Sequence, residues 1–311
     1  MTPTMLTRRD FLKGTTAAVV GAHLARKKGI PSVPPALSGA PGSTPSAGAA
    51  PFKARVVLIR NADVLDANSA ISPDILQGML DEAVMRLLDA PDPVSAFGRL
   101  VKPGETVGIK TNFWSFLPTP KELEAAIKRR LLDAGIAEDR IGIDDWNVRT
   151  NPLFAGATSL INVRPLRTHY LAGMSGTIKN YIMFAESQPD YHPDSCADLG
   201  ALFKLPIVQG KTRLNILCAL TPQFHGRGPH HFSRRYVWPY KGLIVGQDPV
   251  AVDTIGLRLT MAKRREVLGK AQELPPVPKH IQLADTRHGI GTSDINAIEL
   301  VKLGWGDDIL I

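Results

Sequence analysis

"ETVGIKTNFWSFLPTPKELEAAIKRRLLDAGIAEDRIGIDD", residues 105–145, decides the fold class. Its opening, ETVGIKTN (105–112), predicts a buried strand. TPKELEAAIKRRLLDAG (119–135) then predicts a helix. Thr119 is placed as N-cap, Pro120 at the first helical position and Glu122 closes a capping box. Gly135 is expected to end the helix, and RIGIDD (140–145) returns the chain to a strand.

Upstream, ARVVLIR (54–60) reads as a strand. In residues 73–90, Ile75, Met79, Ala83 and Leu87 recur at helical spacing. Residues 54–145 therefore alternate β-α-β-α-β, which implies an α/β fold with mixed or mostly parallel sheets flanked by helices. The second half is less regular. Strands are expected at 158–163, 211–220, 242–246 and 297–304, and helices at Ser175–Ser187 and after Asp248, with Pro249 at the first helical position. The expected organisation is two-lobed, about 53–150 and 151–311. A ligand cleft is expected between the lobes, formed by the 110–118 loop, the 144–150 loop and the 169–180 segment.

The net charge is +8, yet six basic residues (Arg8, Arg9, Lys13, Arg26, Lys27 and Lys28) stand in the first fifty residues against one acid, Asp10. The excess is local, and no nucleic-acid motif accompanies it, so nucleic acid is not an expected partner. TRRDFLK (7–13), followed by a weakly apolar stretch to Ala25, reads as a twin-arginine export signal over residues 1–30. That stretch is too short for a stable membrane span. Residues 31–52 form a Pro/Gly/Ala-rich linker. The expected partner is the twin-arginine translocase, and the expected location is the periplasm or beyond. Two cysteines, Cys196 and Cys218, are too few for a protein-borne iron–sulfur cluster.

HYLAGMSGTIKNYIMF (169–184) raises the main functional question. Gly173, Gly176 and Lys179 miss the Walker spacing, so this is no P-loop. A glycine-rich turn entering a helix still offers free N–H groups to an anion. Ser175, Gly176 and Thr177 are candidate contacts, with Asn180 beside them. Lys179 stands near a helix N-terminus, the wrong end for a cation, and so calls for a negative or covalent partner. The alternative is a simple helix cap with a solvated lysine. Asp144 and Asp145 follow a strand, where α/β proteins collect ligands, or they are loop caps. Lys110 and Asn112 end the preceding strand and are candidate anion contacts. In the 223–240 loop, His225, His230 and His231, with Arg227, stand in a solvated loop, or form a weak metal site or a lid. Asp253 is a candidate supporting residue.

INVRPLRTHYLAGMSGTIKNYIM (161–183), YHP (191–193), RLNILCAL (213–220) and GQDPVAVD (246–253), in this order, resemble the family called domain of unknown function 362. That resemblance implies a fold and no settled activity. HYLAGMSGTIK (169–179) and LPTPKELEAAIKRRLLDAGIAEDRIGI (117–143) are also similar to segments of the nickel-pincer lactate racemase family. This second resemblance implies His169 as a nickel ligand, Lys179 as a covalent cofactor anchor and His192 as a loosely aligned further metal ligand. It also places Asn147 where that family has a proton-transferring histidine, and Arg149 near its arginine. Asparagine cannot titrate, so racemisation by acid–base steps is not implied.

The expectation is an exported small-molecule enzyme, redox or metal-dependent chemistry included, acting on an anionic ligand. His169, Lys179, Asp144 and Asp145 are its catalytic candidates. The rival expectations are a non-catalytic periplasmic ligand- or cofactor-binding protein, and a subunit served by a separate iron–sulfur partner. The cofactor stays open, a metal or a nickel-pincer-like group among the candidates.

Overall fold

The computed structural model describes residues 53–226, 232–269 and 274–311. The expected export signal and linker (1–52), together with Arg227, His230 and His231, lie outside the described residues. The strands are β1 (Ala54–Arg60), β2 (Val107–Lys110), β3 (Ile141–Asp144), β4 (Ser159–His169), β5 (Gly173–Ser175), β6 (Thr212–Gln223), β7 (Gly242–Gly246) and β8 (Ile298–Gly304). Helices of more than one turn are α1 (Pro73–Leu88), α2 (Pro93–Leu100), α3 (Lys121–Asp133), α4 (Pro249–Leu268) and α5 (His280–Thr286).

The eight strands form one sheet in the order β3-β2-β4-β6-β7-β1-β8, with β5 added as a hairpin on β4. Six strands point the same way. β7 runs against both its neighbours, and β5 against β4. The fold is therefore α/β with a mixed, mostly parallel sheet. The stretches 53–150 and 151–311 share this one sheet, since β2 bonds to β4 and β1 to both β7 and β8.

Strand alternation divides the interior into two cores. Val57 and Ile59 of β1 and Leu214 and Ile216 of β6 face a core with α1, α2 and α3. Val56, Leu58 and Leu217 face the other, with α4, Ile178, Tyr181 and Leu199. Lys110, Asn162 and Asn215 occupy the alternate positions of β2, β4 and β6, which puts them on the α4 side.

Helix ends explain where the sequence reading was right and where it erred. Asp248 caps α4 as expected, its carboxylate accepting from Val250 N and Ala251 N at 2.8 and 3.0 Å. Gly135 has φ +88°, and the pairs Ile136 N to Leu131 O and Gly135 N to Leu132 O complete a Schellman end for α3. Thr119 does not cap α3. Its hydroxyl accepts from Asn112 N at 3.0 Å while its own N–H donates to Asn112 O at 2.8 Å, so Thr119 ties the loop shut and Pro120 becomes the N-cap. The helix expected at Ser175–Ser187 is instead strand β5, one α-turn (Thr177–Asn180) and a 3-10 turn (Tyr181–Phe184). β4 runs on to His169, six residues past its expected end, through a register irregularity between Pro165 and Arg167.

Candidate functional site

The carboxyl ends of β2, β3 and β4 meet the 173–180 segment, and Lys110 is where they join. Its ammonium, wholly buried, lies 2.5 Å from Asp145 Oδ1, 2.7 Å from Thr111 O and 3.3 Å from Asn180 Oδ1. One lysine thus ties together the three segments expected to form the site. Asn112 joins them, its Nδ2 lying 3.5 Å from Asp145 Oδ2, which also accepts from Phe113 N at 2.8 Å. Burial draws Lys110 down to about 8, against the opposing pull of Asp145.

Asn180 is the hub on the other side. Its Nδ2 donates to Lys110 O, Asn162 Oδ1 and Val163 O, and its Oδ1 accepts from Arg164 Nη1 at 3.1 Å as well as from Lys110. Asn162 extends the chain to Asn215 Oδ1 at 2.9 Å and to Thr177 O at 3.0 Å. These amides are buried, and each polar contact stands in for one made with water in the unfolded chain.

The glycine turn is not an open anion receptor. Asp253, from the second turn of α4, lies at its N-terminus. The Asp253 carboxylate accepts from Thr177 N at 2.6 Å, Thr177 Oγ1 at 2.8 Å and Ile178 N at 3.0 Å. A Cβ on Gly176 would stand 2.3 Å from Asp253 Oδ1, so only glycine allows this approach. Burial raises Asp253 to about 6, and the three donors hold it back from rising further.

Lys179 follows one turn later and is 3% exposed. Its Nζ lies 3.9 Å from the Cys196 thiol. Burial draws it down to about 8, with Arg164 and Arg167 adding to the effect and Cys196 opposing it. Cys196 is the last of three consecutive left-handed residues, Asp194, Ser195 and Cys196, with φ of 52°, 58° and 62°. Such a run costs on the order of 1 kcal/mol per residue. It is held in place by Lys279, which pairs with Asp194. Burial pushes the Cys196 thiol up, against the opposing pull of Lys179. Cys196 and Cys218 are both free and buried.

His169, at the end of β4, accepts from Leu171 N and Ala172 N at its Nδ1, at 3.1 and 3.3 Å. The ring proton therefore sits on Nε2. Burial, then Lys179, Arg167 and Arg164, hold His169 far below its ordinary range, so it is neutral. His192, half-buried, is lowered by burial and by Lys179. Among the described residues no three of His, Cys, Asp and Glu form a group that would hold a metal ion. A metal held by His169 and His192 alone lacks a third protein ligand and does not fit.

Two arginines from β4 complete the group. Arg164 and Arg167 are buried, yet Arg164 Nε and Arg167 Nε and Nη1 have no hydrogen-bond partner among the described residues. The Arg167 guanidinium lies 4.1 Å from the Trp114 ring centroid, and Trp114 packs with Phe116 and Phe232 to form an aromatic cover. Burial lowers both arginines, Arg164 to about 10. Both remain charged at neutral pH. Ser175 Oγ, Asn112 Oδ1, both amide atoms of Gln223 and both ring nitrogens of His280 are likewise buried without a hydrogen-bond partner among the described residues.

Other expected residues lie elsewhere or have structural roles. Asp144 is a loop cap, accepting from Asp145 N, Asn147 N and Asn151 Nδ2. Asn147 and Arg149 are exposed, and with Trp146 and Met183 they line a separate open cavity of about 570 Å³. His225 hydrogen-bonds Arg264 and packs on Tyr236. The largest cavity described, about 790 Å³, opens at the amino ends of β1 and β8, at the far end of the sheet from these groups. Sequence reading passed over Arg164, Arg167, Asn162, Asn215, Gln223 and His280. The available signal was two arginines inside a central strand of a parallel sheet, where apolar residues are the rule.

Residues 136–258 match the family model described as Domain of unknown function (DUF362). The match contains β3 to β7, the Asn180 hub, Lys179 and Asp253. Lys110 and His280 lie outside it. No curated protein and no solved structure matches the chain. No helix among the described residues is long and apolar enough to cross a membrane.

Proposed function

We propose that this chain binds a small anionic ligand in the buried site at the carboxyl ends of β2, β3, β4 and β6, and acts on it as an enzyme. One observation carries the reading. Arg164, Arg167 and Lys179 are buried together, and none has a carboxylate partner among the described residues, while three guanidinium N–H groups have no acceptor. The nearby carboxylates are already engaged, Asp145 by Lys110 and Asp253 by the Thr177 turn. Burying a cation without a partner costs several kcal/mol, and an anionic ligand removes that cost. The enzymatic part of the reading rests on Lys179, drawn close to neutrality, beside the neutral His169 with its Nε2–H free of the backbone contacts that hold Nδ1.

A nickel-pincer cofactor does not fit these groups: His169 Nδ1 accepts from two backbone N–H groups, which leaves the proton on Nε2 and no lone pair for a metal, and no third protein ligand joins His192 among the described residues. Asn147, at the position of that family's proton-transferring histidine, is exposed on the 144–151 loop and supplies no titrating group. Export through the twin-arginine pathway is part of the proposal, on the strength of TRRDFLK alone. Fractionation of the native host tests it, with periplasmic protein the supporting result and cytoplasmic protein after Arg8→Lys/Arg9→Lys the expected control. The ligand reading is tested by isothermal titration with oxalate and inorganic phosphate. Saturable one-to-one uptake of either supports it, and uptake of neither contradicts it.

A further inference from the structure

We propose that Lys179 is an imine-forming lysine and that the ligand is a small 2-oxo acid, its carboxylate held by Arg164 and Arg167 and its carbonyl carbon presented to the Lys179 amine. The proposal deepens the anionic-ligand reading and rests on it.

Three observations narrow the ligand in this way. First, Lys179 Nζ has a thiol at 3.9 Å as its hydrogen-bonding neighbour rather than a carboxylate. An amine that must act as a nucleophile needs such surroundings, with no ion pair to lock it as ammonium and other cations close by. Burial and the two arginines supply that condition, drawing Lys179 to about 8. Lys110 shows the contrast within the same site. Burial draws it down to about 8 as well, so the two differ in geometry: Lys110 is ion-paired with Asp145 at 2.5 Å and Lys179 has no carboxylate beside it among the described residues.

Second, the unpartnered atoms, Arg164 Nε and Arg167 Nε and Nη1, are charged N–H donors, which form strong hydrogen bonds to a carboxylate. Asn180 Oδ1 occupies one side of Arg164 and the Trp114 ring covers Arg167, so both guanidiniums are held in place before the ligand arrives. Third, the site is buried and polar. Arg164, Arg167, His169 and Lys179 are all buried, so a ligand held by them is largely withdrawn from water. The orphaned amide of Gln223 and ring of His280 add neutral donors and acceptors for a carbonyl compound.

The step balances without an oxidant. The Lys179 lone pair attacks the carbonyl carbon, forming the C–N bond, and the π pair moves to oxygen. The oxygen then leaves with the two amine protons as water, so amine and carbonyl give imine and water. The Nε2–H of His169 is the neutral donor on this side of the site for the carbonyl oxygen.

The test uses the whole protein with glyoxylate, then sodium borohydride, followed by peptide mapping. Borohydride reduces the imine to a stable secondary amine, leaving a carboxymethyl group on the lysine. Acetaldehyde, a carbonyl without a carboxylate, is the control. Modification of Lys179 by glyoxylate at least ~10-fold above acetaldehyde is expected, since a charged hydrogen-bonded contact contributes roughly 1.5–3 kcal/mol. Oxalate should suppress it by competition. Labelling confined to surface lysines, or equal labelling of Lys179 by the two aldehydes, overturns the imine proposal. If oxalate binds in titration while Lys179 stays unlabelled, the imine falls and the anion site stands. If neither oxalate nor glyoxylate binds, both fall. The Lys179→Arg variant should still bind oxalate and take no label at position 179. The wild-type peptide map decides the matter even if that variant fails to fold.

Discussion

The Asp253 carboxylate sits against the N-terminus of the Thr177 turn, 2.6 Å from Thr177 N and 3.0 Å from Ile178 N. A glycine-rich turn that reads as a receptor for an external anion therefore carries an internal one. The consequence is a shift in where the ligand must bind. The anion-seeking groups are the side chains beyond the turn, Arg164, Arg167 and Lys179, rather than the backbone N–H groups within it.

Gly176→Ala places a Cβ against that carboxylate, at 2.3 Å from Oδ1 in the present geometry. Overpacking of this kind costs roughly 1–3 kcal/mol. A urea melt should show that loss, and Asp253→Ala in the same chain should make the two losses less than additive. Full additivity would mean that the carboxylate and the glycine do not depend on each other.

Asn180→Ala should be among the most damaging changes at the site. It orphans buried groups on Lys110, Asn162, Val163 and Arg164 together. Each buried group left unsatisfied costs roughly 1–3 kcal/mol, so chemical denaturation should show a loss of at least ~3 kcal/mol. A loss below ~1 kcal/mol would contradict the hub assignment.

The neighbouring carboxylates should respond differently. Asp144→Asn keeps an oxygen to accept from Asp145 N and Asn147 N, and should cost about 1 kcal/mol or less. Asp145→Asn strips Lys110 of its counter-ion in a fully buried place and should cost roughly 3–5 kcal/mol. Equal effects by thermal denaturation would show that Lys110 and Asp145 are not a working pair.

Much of this was legible in the sequence, and the reasons it was not all legible are physical. Regular elements announced themselves through capping and periodicity: Asp248-Pro249, Gly135 and the Ile75-Met79-Ala83-Leu87 stripe. The convergence of 110–112, 144–145 and 169–180 followed from the rule that α/β sites gather at strand carboxyl ends. What failed was local chemistry with a nonlocal partner. Thr119 looks like an N-cap until its hydroxyl is seen to accept from Asn112 N. Ser175–Ser187 has a helix's composition, but the Asp253 contact and the β4–β5 hairpin break it into two short turns. Asp144 and Asp145 are equivalent in sequence, and only the fold separates a loop cap from the partner of a buried lysine. Asn147 and Arg149, expected at the site, lie on the exposed loop beyond the strand.

The pH dependence of the ligand-free protein follows from Lys179. Its folded value of about 8 lies below its ordinary 10.5. Between those values the unfolded chain binds a proton that the folded chain does not, so the contribution of this group to stability rises with pH and is lost as pH falls toward 8. Lys110 acts in the same direction. The melting temperature of wild type minus that of Lys179→Met should therefore increase from pH 8 to pH 9. A flat or falling difference would place Lys179 in contact with water or with a carboxylate.

The most direct measurement of the central claim is calorimetric titration of oxalate into the wild-type protein and into Arg164→Gln and Arg167→Gln, with folding checked by circular dichroism. The account expects one-to-one binding that each substitution weakens by at least ~10-fold, as loss of a buried charged contact requires. Absence of binding to the wild type, or binding of equal strength to all three proteins, would contradict it.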